Sequence, residues 1–192
     1  MLANAVILAG GKSSRMGSDK ALLPFGGYPT LAEYQYRRLS ILFENVYIST
    51  KEDKFDFEAP LILDKEKSSS PLLAAASIFE TIQDDFFLIA VDMPLLDIES
   101  IKKLLKLYRE QPESAVYLFE SAEGLEPTAA IYRQRCYKTL REQLRAGRHS
   151  MRECIAREPY HALQIESENA FLNTNYESEY VKALEIYANR EL

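Results

Sequence analysis

The feature of this chain that most restricts its fold is a set of short apolar runs that alternate with amphipathic segments. Each run has the length and continuity of a strand that is buried on both faces of a sheet. The runs are found at residues 5–9, 45–49, 60–63 and 85–91. Segments with apolar residues at helical spacing begin at Thr30, Pro71 and Ile98. This alternation predicts a three-layer α/β fold, in which a mostly parallel sheet carries helices on both faces.

Capping residues and periodicity set the expected limits of the elements. Thr30 should cap a helix that reaches Phe43, with Ile41 among its core contacts. Pro71 suits the first turn of the second helix. The pattern is looser after Gly124. Further strands are expected near residues 114–119, 128–132 and 160–165, and further helices near 134–146, 150–156 and 177–188.

Composition narrows the class of protein. A chain of 192 residues suits one domain, expected to span residues 1–192. A net charge of -6 argues against a nucleic-acid-binding surface. Cys136 and Cys154 lack the spacing of a metal or redox motif and are expected to be reduced thiols. Without a membrane-length apolar run or a basic leader, the chain is expected to be cytoplasmic and to bind no membrane.

A glycine-rich loop follows the first predicted strand. Gly10 and Gly11 are followed by the cations Lys12, Arg15 and Lys20. The loop is not a P-loop, because valine occupies position 6, where that motif needs its first glycine; glycines at 10, 11 and 17 also do not fit the Rossmann pattern. Glycines let the backbone approach a phosphate closely, and the cations can balance the charge of a triphosphate. At the carboxyl end of a parallel strand, this combination favours an anion-binding site over a solvated loop.

Residues 8–20, followed by Ala21, Leu22 and Leu23, resemble the signature of the molybdenum cofactor guanylyltransferases, L-A-G-G-x-S-x-R-M-G-x-D-K-x-L. The Asp19-Lys20 pair distinguishes this signature from that of related cytidylyl and sugar-phosphate enzymes, which commonly carry Pro-Lys. The resemblance implies a Rossmann-like nucleotidyltransferase domain. It also implies transfer of GMP from GTP to the terminal phosphate of Mo-molybdopterin, with release of pyrophosphate.

The same resemblance implies roles for particular residues. Arg15 would neutralise the leaving pyrophosphate, and Lys20 would stabilise charge near the transferring phosphorus. Asp92, which ends the strand at 85–91 in a D-x-P context, would hold Mg²⁺. These three are the expected catalytic residues. The expected nucleotide-binding residues are Leu8, Ala9, Gly10, Gly11, Lys20, Ser49, Asp64 and Asp92.

Two segments are expected to meet the acceptor. The basic stretch at residues 145–152 includes Arg148, and it is equally suited to binding a phosphate or to forming a charged turn between helices. Residues 171–175 resemble the family's F-x-N-x-N motif. In an extended segment Asn173 and Asn175 would face the same side and could hydrogen-bond a pterin edge. GTP and Mo-molybdopterin are thus the implied substrates, and proteins that deliver or accept the cofactor are further implied partners.

Four positions depart from the family pattern. Ser49 stands where many relatives have asparagine, Ser70 and Ala74 replace two glycines, and Glu126 replaces a histidine. Two other functions therefore stay open. One is the same chemistry with CTP and the molybdenum cofactor, or with a sugar phosphate; the other is a non-catalytic nucleotide-binding regulator.

Overall fold

The computed structural model describes residues 2–10, 19–64, 70–165, 167, 169–174 and 176–190. The strands are β1 Asn4–Leu8, β2 Asn45–Thr50, β3 Leu61–Leu63, β4 Phe86–Ala90, β5 Val116–Ser121, β6 Gly124–Tyr132 and β7 Tyr160–Gln164. The helices are α1 Leu31–Leu39, α2 Pro71–Ile82, α3 Ile98–Glu110, α4 Tyr137–Arg145, α5 Met151–Ile155 and α6 Glu177–Arg190. Short 3₁₀ turns cover Lys20–Leu22 and Gln134–Cys136. Within the described ranges, no helix is long and apolar enough to span a membrane.

The strands form one seven-stranded sheet in the order β3-β2-β1-β4-β6-β5-β7. Among these strands only β6 is antiparallel to its neighbours. The prediction of a mostly parallel sheet is therefore confirmed. β6 begins at Gly124 rather than near residue 128, because it forms a hairpin in which Ser121 pairs with Gly124.

Alternate residues of the strands pack under different helices. Ile7 and Ile89 belong to a core cluster that also contains residues of α1, α3 and α6. Val6 and Leu88, their neighbours along the strands, belong to a second cluster with residues of α2, α4 and α5. Because successive side chains of a strand point to opposite faces and helices cover both, residues 5–8 of β1 and all of β4 are apolar. The predicted three layers are confirmed.

The helix starts were easier to predict than the helix ends. Thr30 caps α1 as expected, since its Oγ1 accepts a hydrogen bond from the Glu33 amide at 3.1 Å. The expected continuation to Phe43 is wrong, because α1 ends at Leu39. Ile41 was expected in the core, but it lies in the turn beyond the helix and is 77% exposed.

Both cysteines are buried and unbonded to one another, as the sequence predicted. Burial raises the pKa of the Cys154 thiol to about 11 and raises that of Cys136 as well. Both groups are therefore protonated at neutral pH, which makes them poor nucleophiles. They act as small apolar side chains in the core cluster that also contains residues of α2, α4 and α5.

Candidate active site

The order of the strands reverses at β1. From β1 the chain passes to β2 and β3 on one side, and β4 then pairs with the other side of β1. In open α/β sheets, ligands bind at such a reversal, outside the carboxyl ends of the strands. A cleft of about 460 Å³ lies there, which is within the usual range for small-molecule sites.

Most of the site residues expected from the sequence line this cleft. The expected residues that line it are Leu8, Ala9, Gly10, Lys20, Ser49, Asp64, Asp92 and Asn173. Gly11, Arg15 and Asn175 lie outside the described residues. Arg148, in the turn after α4, is not among the residues that line the cleft, whereas Arg152 of the same basic stretch is.

Gly10 lies where the chain leaves β1 and passes close to Asp64. A Cβ atom at position 10 would stand 3.2 Å from Asp64 Oδ2 and 3.8 Å from Thr50 Cα. The preceding amide of Ala9 donates to the Ser49 carbonyl at 2.8 Å, which fixes the chain against β2. Glycine is therefore favoured here by close packing, and its missing side chain leaves the backbone open to a ligand.

Lys20 is presented by the 3₁₀ turn that follows the glycine-rich loop. Asp19 caps this turn, because its Oδ1 accepts a hydrogen bond from the Ala21 amide at 3.0 Å. The Lys20 Nζ lies 3.5 Å from Asp92 Oδ2, and both side chains are largely buried. A cation from the first loop and a carboxylate from the end of β4 therefore meet inside the cleft.

The environment of Asp92 destabilises its negative charge. Burial raises the pKa of the Asp92 carboxyl above its ordinary value, and the neighbouring Lys20 ammonium offsets part of this effect. The burial comes from the position of Asp92 directly after the central strand β4. A buried carboxylate in a cleft, facing one cation, is typical of a functional group and suits a metal ligand.

Asp64 and Ser49 form a second polar pair. Ser49 is the penultimate residue of β2 and is almost fully buried, and its hydroxyl donates to Asp64 Oδ1 at 3.4 Å. Burial raises the pKa of Asp64, while the Ser49 hydrogen bond acts in the opposite direction. The serine that replaces the family's asparagine therefore has a partner within the site.

Ser70 and Ala74, which replace the family's two glycines, lie at the start of α2. Ser70 caps the helix through a hydrogen bond from the Leu73 amide to Ser70 Oγ at 3.2 Å, and Pro71 occupies the first helical position. Ser70, Pro71 and Ala74 all line the cleft. Ser70 thus has a structural reason, since serine is a better helix cap than glycine.

The far wall of the cleft combines β6, α5 and the segment before α6. It includes Glu126, Thr128, Arg152 and Asn173. Glu126 accepts a hydrogen bond from the Ser121 hydroxyl at 2.8 Å, and Arg152 Nε donates to the Leu125 carbonyl at 3.2 Å. The Thr174 amide donates to the Asp92 carbonyl at 3.1 Å, which explains why Asn173 reaches the cleft.

Sequence reasoning missed Lys54, which lies in the connection between β2 and β3. Its Nζ donates to the Ala9 carbonyl at 3.0 Å and to the carboxylate of Asp19. Lys54 belongs to no recognisable motif, so only its place after a parallel strand could have drawn attention to it. Connections that follow parallel strands collect at the edge where ligands bind.

The comparison with protein families identifies the class. The family described as "MobA-like NTP transferase domain" matches residues 5–163, a range that contains every cleft residue named above except Asn173. Together with the cleft at the strand reversal, this match defines the chain as a nucleotidyltransferase.

The relatives narrow the class to a family. The molybdenum cofactor guanylyltransferase of Helicobacter pylori strain J99 is 34% identical over 194 residues, which cover 94% of this chain and 88% of that protein. The chain belongs to the MobA-like family of molybdenum cofactor guanylyltransferases.

Solved structures agree on the fold. The molybdopterin-guanine dinucleotide biosynthesis protein A of Archaeoglobus fulgidus superposes with a TM-score of 0.82 at 20% identity, over 97% of this chain and 99% of that chain. CMP:2-keto-3-deoxy-manno-octonic acid synthetase complexed with CTP gives a TM-score of 0.81 at 14% identity, over 99% and 100%. At these identities the likeness describes the architecture alone.

Proposed function

We propose that this nucleotidyltransferase transfers GMP from GTP to the terminal phosphate of Mo-molybdopterin and releases pyrophosphate. The observation that carries the proposal is the meeting of Lys20 and Asp92 in the cleft at the strand reversal, 3.5 Å apart. The name of the relatives, molybdenum cofactor guanylyltransferase, suggests the molybdenum cofactor as the acceptor and a guanylyl group as the group transferred. The experiment that tests the proposal is transfer of a labelled α-phosphate from GTP to the cofactor.

The proposed reaction needs positioning and charge neutralisation more than proton transfer. An oxygen of the acceptor phosphate attacks the α-phosphorus of GTP, and the bond from that phosphorus to the bridging β-phosphate oxygen breaks. The acceptor oxygen is already ionised, so no general base is required. Lys20 would stabilise negative charge near the α-phosphorus as it grows, and Arg15 would do so on the leaving pyrophosphate.

The charges of the cleft support a requirement for a divalent cation. Among the described residues that line it are four carboxylates, of Asp19, Asp64, Asp92 and Glu126, and two cations, of Lys20 and Arg152. A triphosphate entering such a site needs further positive charge. We propose that Asp92 holds Mg²⁺, which supplies that charge when bound, since Mg²⁺ commonly uses one or two carboxylates together with substrate phosphates.

The described residues suit a metal site that the substrate's phosphates complete. They contain no group of three or more histidine, cysteine, aspartate or glutamate side chains that could hold a metal ion by themselves. A site completed by the substrate needs no such group, and the buried, partly destabilised carboxylate of Asp92 would gain from a cation. Lys20 would then be released toward the phosphates.

On the nucleotide side, we propose that the end of β1 and its neighbours hold GTP. Gly10, continued by Gly11, would offer backbone amides to the phosphates. Leu8 and Ala9, whose backbone groups already bond to neighbouring segments, would line the cleft beside them. Ser49 and Asp64 would meet the nucleoside from the ends of β2 and β3. The first turn of α2 adds the positive end of a helix dipole.

On the acceptor side, we propose that Asn173, continued by Asn175, meets the pterin. Arg152 is better placed than Arg148 for the terminal phosphate, because Arg152 lines the cleft. Arg148 would then contribute from outside the cleft to the attraction of the anionic acceptor.

We expect Arg152→Ala to raise the KM for Mo-molybdopterin by about tenfold to a hundredfold, the value of one hydrogen bond to a charged group. The KM for GTP should stay near wild type. Steady-state kinetics with each substrate varied in turn measures both constants. Arg148→Ala should have the smaller effect, and Arg109→Ala, on the exposed side of α3, is the matched control. A raised GTP KM in Arg152→Ala, or a larger acceptor effect in Arg148→Ala, would refute this assignment.

A further inference from the structure

Lys54 joins the two ends of the glycine-rich loop. Its ammonium group donates to the Ala9 carbonyl, at the end that leaves β1, and to the Asp19 carboxylate, at the end that enters the 3₁₀ turn. Only 14% of the Lys54 side chain is exposed. Lys54 is not among the residues that line the cleft, but both of its partners are.

The segment that carries Lys54 is anchored although it forms neither helix nor strand. Lys54 Nζ lies 5.6 Å from the centroid of the Phe55 ring. Phe55 packs on Phe57, and Phe57 packs on Tyr36 of α1, each pair with centroids 5.7 Å apart. The aromatic contacts fix this connection to the body of the fold, so Lys54 can hold Ala9 and Asp19 in defined places.

The contact with Asp19 reaches Lys20 through the turn. One oxygen of the Asp19 carboxylate accepts from Lys54, and the other accepts from the Ala21 amide at 3.0 Å. The Asp19 carbonyl also accepts from the Leu22 amide at 3.0 Å. With both carboxylate oxygens engaged, Asp19 has one orientation, and the turn that presents Lys20 to Asp92 is fixed with it.

Lys54 also neutralises a charge at the edge of the cleft. Asp19 lines the cleft, and its negative charge would repel a triphosphate. Lys54 pairs with Asp19 but is not among the residues that line the cleft, so it can offset that charge without itself contacting the phosphates. Coulomb interactions of this kind are strongest where side chains are shielded from water, as these are.

We infer that Lys54 is a positioning residue for the nucleotide site, which links Ala9 after β1 to Asp19 before the 3₁₀ turn and sets the direction of Lys20. The inference rests on the proposed function, because it assigns Lys54 a part in binding and turning over GTP. A simple exposed ion pair would leave the kinetics unchanged when removed. Removal of a group that sets the geometry of the phosphate site would change the kinetics.

The test is a set of four variants in the full chain: Lys54→Met, Lys54→Arg, Asp19→Asn and the double variant Lys54→Met/Asp19→Asn. Lys54→Met should lower kcat for GMP transfer by about tenfold to a hundredfold, because misplacement by about 1 Å has effects of this size. Lys54→Arg should restore most of the loss, since arginine can donate to both acceptors. The double variant should be no slower than Lys54→Met, because both changes remove the same contact between Lys54 and Asp19.

A second readout does not depend on turnover. Hydrogen exchange at the amides of Ala21, Leu22 and Leu23, which form or follow the 3₁₀ turn, should be faster in Lys54→Met than in wild type. Lys103→Met, which removes an exposed lysine of α3, is the control and should match wild type in both readouts. Lys54→Arg and Asp19→Asn keep the side-chain size and cap, so they remain informative if Lys54→Met folds poorly.

Wild-type kinetics in Lys54→Met, or losses in the two single variants that multiply in the double variant, would overturn the inference. A failure of arginine to restore activity in a folded Lys54→Arg protein would do the same. If the wild-type protein itself neither binds GTP nor transfers GMP, the proposed function fails instead. The two failures are therefore distinguishable.

Discussion

Lys20→Ala should lower kcat for GMP transfer by about a hundredfold to a thousandfold, which is typical for the loss of one electrostatic contact to the transition state. The Kd for GTP should change much less, because the charge that Lys20 stabilises grows as the bond to pyrophosphate breaks. Rapid-quench kinetics with saturating GTP and acceptor measures the first quantity. Calorimetric titration with GTP measures the second.

Two controls isolate the effect of Lys20. Lys103→Ala removes an exposed lysine of α3 and should retain the wild-type rate. Circular dichroism should show that Lys20→Ala keeps its fold, since Lys20 extends from a turn into the cleft rather than into either core cluster. If the Lys20→Ala protein is folded and as fast as wild type, Lys20 has no part in the reaction.

Asp92→Asn should lower kcat by a similar factor, about a hundredfold or more, and should weaken the binding of Mg²⁺ to the GTP complex. The amide has the size of the carboxylate but not its charge. Because burial raises the pKa of Asp92, the group is protonated at a higher pH than an ordinary aspartate. In wild type, Mg²⁺ binding should therefore weaken as the pH falls toward that raised pKa, and Asp92→Asn should lack this contribution.

Asp56→Asn, an exposed change in the connection after β2, is the matched control for loss of one carboxylate. Mg²⁺ titrations of the GTP complex, followed by calorimetry at several pH values, compare the three proteins. Unchanged Mg²⁺ affinity and turnover in a folded Asp92→Asn protein would show that another group holds the metal.

Much of the fold could be predicted because local patterns and tertiary packing agree. Residues 5–9 and 86–91 are all apolar because both faces of β1 and β4 are covered by helices. Thr30 and Pro71 mark helix starts through cap chemistry that depends only on near neighbours. The end of α1 could not be predicted in this way, because Ile41 has an apolar side chain whose exposure depends on where the chain turns.

The site was predictable where the chain carries a motif. Gly10 and Asp92 directly follow predicted parallel strands, and Lys20 belongs to the loop after the first of them, so all three were expected at one edge. Lys54 lies next to the site through the tertiary fold, in a connection with no sequence signature. The basic stretch at 145–152 was expected from the sequence, but only the fold shows that Arg152 rather than Arg148 lines the cleft. Ser70 appeared to be a departure from the family, and only the geometry of α2 gives it a role as a helix cap.

The most direct test of the central proposal follows the nucleotidyl group itself. The purified 192-residue chain is incubated with Mg²⁺, Mo-molybdopterin and α-phosphate-labelled GTP or CTP, while pyrophosphate release is measured in parallel. The proposal predicts that label passes from GTP to the cofactor with one pyrophosphate per transfer, with GTP clearly preferred. Preference for CTP, or GTP binding without transfer or pyrophosphate release, would contradict it.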